Sequence, residues 1–164
     1  YEDTGLAQLF GMPFVVLRKP VPFDTTTLNF NWQVWDTKAF SLYSRSTEKI
    51  DKKGADMAIA AVCRFLSRMN VLNYNVYGGY ESTVLIEEEL VSLRSTASGL
   101  YIPHVKSFDS VERGQVLADI IDPLTGVTVA QTEAPEDGIV FFAKDSPLVM
   151  ENETLFKIVN KLHK

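Results

Sequence analysis

At 164 residues, with 46% hydrophobic and 23% charged side chains, the chain has apolar material for one well-filled core or two small ones. No run approaches the ~18 consecutive apolar residues of a membrane-spanning helix, so no membrane partner is expected. Sixteen basic against twenty-one acidic groups leave a net charge of −5, and nucleic-acid binding draws on the Lys and Arg excess that is missing here.

In chain order, "DTGLAQLFGMP" reads as a short helix capped by Asp3 or Thr4 and stopped by Gly11 and Pro13. "PFVVLRKP", residues 13–20, is a short apolar run between prolines, most simply a buried strand. The Thr-, Asn- and aromatic-rich "VPFDTTTLNFNWQVWDTK" shows poor periodicity and predicts a loop with a strand near 30–35. There Phe30, Trp32 and Trp35 either line a pocket or, the simpler reading, pack in a core or interface. "AFSLYSRS", 39–46, predicts a second strand.

"DKKGADMAIAAVCRFLSRMN" predicts the clearest helix. Ala55, Ala58, Ile59, Val62, Phe65, Leu66 and Met69 recur at three- and four-residue steps, the expected core face, with Asp51 as cap. Cys63 lies beside that stripe and reads as a packed thiol. As the lone cysteine it excludes an internal disulfide, which suits a reducing, cytoplasmic setting.

"NYNVYGGYES", 73–82, reads as a linker; it lacks the lysine and strand context of a phosphate-binding loop. Short β-rich runs separated by turn signals follow, placing a domain boundary near residue 80: an α/β segment over 1–80 and an all-β domain over 81–164. Charge follows the same division, 9 basic and 8 acidic groups over 1–84 against 7 and 13 over 85–164. The acids of "IEEELV" are expected on alternate faces of a solvated strand.

The second half repeats itself. "GLYIPHVKSFDSVERGQVLADI", from Gly99, aligns with "GIVFFAKDSPLVMENETLFKIV", from Gly138. Val111 matches Val149, Leu117 matches Leu155 and Ile120 matches Ile158, each 38 apart, while the glycines are 39 apart. Two such halves around the hairpin "DIIDPLTGVTV" imply interlocked β-halves sharing one core. The pattern resembles the biotinyl/lipoyl hybrid barrel of acyl carriers. Such a hairpin presents a lysine for modification; here Asp122, Pro123, Leu124, Thr125 and Gly126 offer none, so the scaffold is implied without the carrier chemistry.

An α/β segment, a long amphipathic helix and "ASGLYIPHVKSFDSVERGQVLADIIDPLTG…APEDGIV" together resemble the C-terminal part of the aspartoacylase/succinylglutamate desuccinylase family, allied to the zinc carboxypeptidases. The resemblance covers most of the chain and is strongest over 97–159. It implies hydrolysis of an amide bond, with one zinc and a glutamate base, on a small acyl-amino acid or peptide substrate. The family's zinc sits on a His-x-x-Glu pair and a later His, all N-terminal to the matched region. This chain has no His-x-x-Glu, and His104 and His163 do not fit those positions, so zinc is expected in a parent protein and not in this chain. The start at Tyr1 without methionine or signal peptide fits the same expectation of a fragment or processed product.

The resemblance places the base at Glu48, in "STEKID" just before the long helix. The residues alone leave two readings. Glu48 is the proton acceptor of the hydrolysis, or a carboxylate favouring the positive end of a helix, worth roughly 0.3–1 kcal/mol. Arg45, on the same stretch, could clamp a substrate carboxylate bidentately or pair at the surface, and Arg18, after "VVL", is a second such candidate. Ser44, Ser46 and Thr47 have no histidine near them in sequence for a nucleophilic triad. The competing reading from another class is a non-catalytic β-barrel module for interaction or homo-oligomerisation.

Overall fold

The computed structural model describes residues 3–43, 50–74 and 78–160. Two compact units divide at Glu88/Glu89.

In the first unit, α1 (Thr4–Gln8) starts where Asp3 accepts the Leu6 N–H at 3.0 Å and stops before Gly11, whose φ of +60° turns the chain. Then β1 (Phe14–Leu17) pairs in parallel with β2 (Thr83–Ile86), Leu17 opposite Ile86. The approach to β2 is fastened to the segment before β1. The Tyr80 N–H donates to Gly11 O, the Ser82 hydroxyl to Met12 O and the Thr83 N–H to Pro13 O, at 2.9, 2.6 and 3.0 Å. Part of the expected linker is thus structural.

The expected strand near 30–35 is a helix. After a 3-10 turn at Pro22–Thr26, α2 (Leu28–Val34) begins at Thr27, whose hydroxyl accepts the Phe30 N–H at 3.3 Å. Trp32 and Trp35 are exposed, not core residues. Of the strand expected over 39–46, residues 39–43 form no regular element and 44–46 lie outside the described residues. Helix α3 (Lys52–Arg68) forms as its period predicts, with Asp51 accepting the Gly54 N–H at 3.0 Å. Its expected core stripe, however, is largely outside. Ala55, Ile59, Val62 and Met69 are exposed, while Gly54, Ala61 and Arg64 are buried. The inward face is held partly by polar contacts: Arg64 donates to the carbonyls of Phe10 and Gly11, and Arg68 to that of Leu9. Phe65 stacks on Phe10 with ring centroids 4.2 Å apart.

The acids of "IEEELV" are not on a strand either: Glu87–Glu89 form a 3-10 turn after β2. Beyond it lie β3 (Val91–Arg94), β4 (Gly99–Pro103), β5 (Ser110–Val111), β6 (Val116–Ile121), β7 (Thr128–Glu133), β8 (Gly138–Ala143), β9 (Leu148–Val149) and β10 (Thr154–Asn160). They form two four-stranded antiparallel sheets, ordered β3-β10-β8-β5 and β7-β6-β4-β9. Among the described residues these sheets do not close into the expected barrel; the flanking strands β5 and β9 are only two residues long, too short to zip one sheet to the other.

Their register shows how the repeats interlock. Gly99 pairs with Val149 and Gly138 with Val111, so each half lends its short strand to the sheet of the other. The turns correspond too. The Gly114 N–H donates to Ala134 O and that of Asn152 to Ser95 O, both at 2.8 Å, and both donors have positive φ. The Glu112 N–H reaches the Gln115 side chain at 3.1 Å as the Met150 N–H reaches that of Glu153 at 3.0 Å. One core spans both sheets: Val111, Leu117, Ile120 and Tyr101 meet Val149, Leu155, Ile158 and Phe156. Neither half has an apolar face it could bury alone, which is what ties the repeats into one unit.

Candidate functional site

Parallel strands put their carboxyl ends on the same edge, the position where α/β sheets offer side chains to ligands. In the first unit the Leu17–Ile86 pairing sets the next residues, Arg18 and Glu87, side by side. The Arg18 guanidinium lies 3.5 Å from a Glu87 carboxylate oxygen and is hydrogen-bonded to the Asp24 carboxylate. Asp24 is buried, and its second oxygen accepts the Val21 N–H at 2.7 Å. The 3-10 turn at 22–26 therefore folds a fixed anion onto Arg18, a charge-assisted pairing stronger than a neutral one. Arg18 itself is half-exposed, with Glu87 on its other flank. The site can present one guanidinium, held from behind by Asp24, to a carboxylate competing with Glu87.

Arg18 was legible as a candidate; its two carboxylate partners were not. In sequence Glu87 is one acid of "IEEELV", expected on a solvated strand, and only the parallel pairing brings it to Arg18. Glu48 and Arg45 lie outside the described residues, as do Ser44, Ser46, Thr47 and His163.

In the second unit, His104 Nε2 is 2.9 Å from an Asp119 oxygen, and the other Asp119 oxygen accepts the Gln131 amide at 2.8 Å. Those two bonds, Gln131 first, hold the Asp119 carboxyl below its ordinary value. The 122–126 hairpin is closed by Asp122, which accepts the Leu124 N–H at 2.8 Å and leaves Leu124 exposed at the tip. Among the described residues no three His, Cys, Asp or Glu side chains gather as a metal site, and no helix is long and apolar enough to cross a membrane.

No family model matches the chain, and no curated protein does. Solved structures do. A succinylglutamate desuccinylase/aspartoacylase from Rhodobacter sphaeroides superposes with a TM-score of 0.73 at 14% identity, over 98% of this chain and 49% of that one. The product-bound ectoine utilization protein EutE of Ruegeria pomeroyi gives 0.74 at 14% identity, over 94% and 47%. An aspartoacylase family protein from Mesorhizobium loti gives 0.64 at 17%, over 98% and 48%. The chain spans about half the length of these proteins, and at such identities the likeness is one of fold. Across nearly its whole length, this polypeptide has the fold of one half of a succinylglutamate desuccinylase/aspartoacylase family structure.

Proposed function

We propose that residues 1–164 are the C-terminal portion of a zinc-dependent hydrolase that cleaves amide bonds in N-acyl amino acids or small peptides. The supporting observation is the fold: desuccinylase and aspartoacylase structures overlie almost all of this chain while extending to twice its length. On this reading the metal ligands belong to the remainder of the parent, as the lack of a His-x-x-Glu pair in residues 1–164 implies, and no step is derived through the metal.

This chain's own contributions are a base and substrate-orienting cations. Glu48 accepts a proton from the attacking water as its oxygen bonds to the scissile carbonyl carbon. It then delivers that proton to the nitrogen as the carbon–nitrogen bond breaks. Arg45 and Arg18 hold the substrate carboxylate. Arg18 can do so by exchanging Glu87 for the substrate, with Asp24 keeping the guanidinium in place. The second unit carries no lysine on its central hairpin and serves as a β scaffold of the biotinyl/lipoyl hybrid type, without acyl attachment.

The test is hydrolysis of N-acyl amino acids by the intact product of the reading frame that encodes residues 1–164. Glu48→Gln is expected to lower kcat by roughly 10²–10⁴-fold with KM little changed. Full activity in that variant would overturn the role. An intact product that dimerises in the ultracentrifuge and hydrolyses nothing would favour the interaction module instead.

A further inference from the structure

Both longer helices of the first unit present their apolar stripes to solvent. On α2 and the residue after it, Leu28, Trp32 and Trp35 follow at four- and three-residue steps, one helical face, and all are exposed; Trp35 is 82% so. A neighbouring side of the helix is fastened by polar bonds to residues 39–41. Asn29 donates to the Ser41 hydroxyl at 2.8 Å, and Gln33 to the Ala39 carbonyl at 3.1 Å. On α3 the stripe Ala55, Ile59, Val62 and Met69 is likewise outward, with Ile59 63% exposed. An amphipathic helix buries such a stripe when its partner is present.

The β1–β2 ribbon tells the same story. Seven of its eight residues are apolar and occupy both faces: Phe14, Val16 and Leu85 on one, and Val15, Leu17, Val84 and Ile86 on the other. Strands apolar on both faces belong to parallel sheets covered on both sides. Here Val16 remains 40% and Ile86 41% exposed, and among the described residues the ribbon has only two strands. Two short strands do not sustain a parallel sheet alone.

We propose that these exposed apolar faces, the β1–β2 ribbon and the Leu28/Trp32/Trp35 and Ala55/Ile59/Val62/Met69 stripes, are the docking seam for the remaining half of an α/β domain carried on the same polypeptide. That half adds strands to the ribbon and covers both helices. The occupant follows from length, since the structures sharing this fold are about twice as long as the chain. The inference rests on the reading of the chain as part of a longer hydrolase, but its readout is docking and not hydrolysis.

Ile59→Asp and Trp35→Asp are compared in residues 1–164 and in the intact product of their reading frame, together with amide exchange at 15–17 and 84–86. In residues 1–164 both variants keep the wild-type urea midpoint, because the side chains are already in water. In the intact product the ribbon amides exchange on the order of 100-fold more slowly than in residues 1–164, and either aspartate abolishes that protection. Equal tolerance of both aspartates in the two proteins would overturn the proposal. So would a reading frame that encodes no further half-domain, or a dimer of residues 1–164 that protects the same amides. An intact product that protects the ribbon yet cleaves no amide sustains the seam and overturns the hydrolase. One that cleaves amides with the stripe still open to solvent does the reverse.

Discussion

Replacing Gly138 with alanine tests the interlocked repeat most directly. A β-carbon at that position would lie 2.6 Å from the carbonyl oxygen of Val159 and closer still to a methyl of Ile158. The Ile158 methyl is packed in the core with no room to retreat, and the oxygen belongs to the backbone of β10, so the strands must part. Overpacking of this kind costs about 1–3 kcal/mol, and a unit of this size loses roughly 4–8 °C of Tm for each. Gly99, the counterpart in the first repeat, meets the same obstacle: its added carbon would be 2.5 Å from the carbonyl oxygen of Ile121 and 2.9 Å from a methyl of Ile120. Gly99→Ala and Gly138→Ala should therefore destabilise the second unit by similar amounts. Gly5→Ala, in the open on α1, should gain about 0.5–1 kcal/mol in the first unit instead. Urea unfolding followed by amide exchange at 117–120 reads the second unit separately from the first. If Gly138→Ala left that midpoint unchanged while Gly99→Ala lowered it, the equivalence of the two halves would be refuted.

Two further outcomes concern ionisable groups of the second unit. The Tyr101 phenol is buried with no hydrogen-bond partner among the described residues, and burial, then the charge of Asp145, pushes its pKa well above the ordinary 10.0. Because the folded value is the higher one, its contribution to stability is complete below pH 10.0 and is lost as pH rises beyond it. Tyr101→Phe should leave neutral-pH stability unchanged or raise it by up to about 1 kcal/mol, and should blunt the alkaline fall seen in urea midpoints. At the acid end, hydrogen bonds from Lys144 and then from the Met150 N–H hold the Glu153 carboxyl below its ordinary 4.5. Its stabilisation is present above that ordinary value and disappears as pH drops through the depressed one. The urea midpoint should stay level from about pH 7 to about pH 5 and then decline, less steeply in Lys144→Met.

What the sequence discloses and what it hides divide along a physical line. Spacing reveals which residues share a face. The three- and four-residue steps from Ala55 to Met69 locate α3, and the constant offset of 38 locates the repeated strands. Spacing does not say what that face meets. The α3 stripe points outward because the inward side is fastened by Arg64 and Arg68 to carbonyls of residues 9–11, contacts between segments far apart in sequence. The same limit explains the exchange of β5 and β9 between the halves, since pairing Gly138 with Val111 instead of a valine of its own repeat leaves no local trace.

Short elements fail differently. Residues 28–34 have β-leaning composition, yet Thr27 caps them and two turns of helix let Asn29 and Gln33 bond back to 39–41, a tertiary gain that outweighs weak local propensity. At the candidate site, Arg18 is a cation one residue past a strand and could be picked out at once. Its chemistry depends on Asp24 and Glu87, one delivered by a 3-10 turn and the other by a parallel partner sixty-nine positions away. A guanidinium between a buried carboxylate and a second, partly exposed one is held differently from a free surface arginine. Buried Asp24 fixes its orientation from one side, and Glu87, whose side chain is 26% exposed, balances its charge from the other.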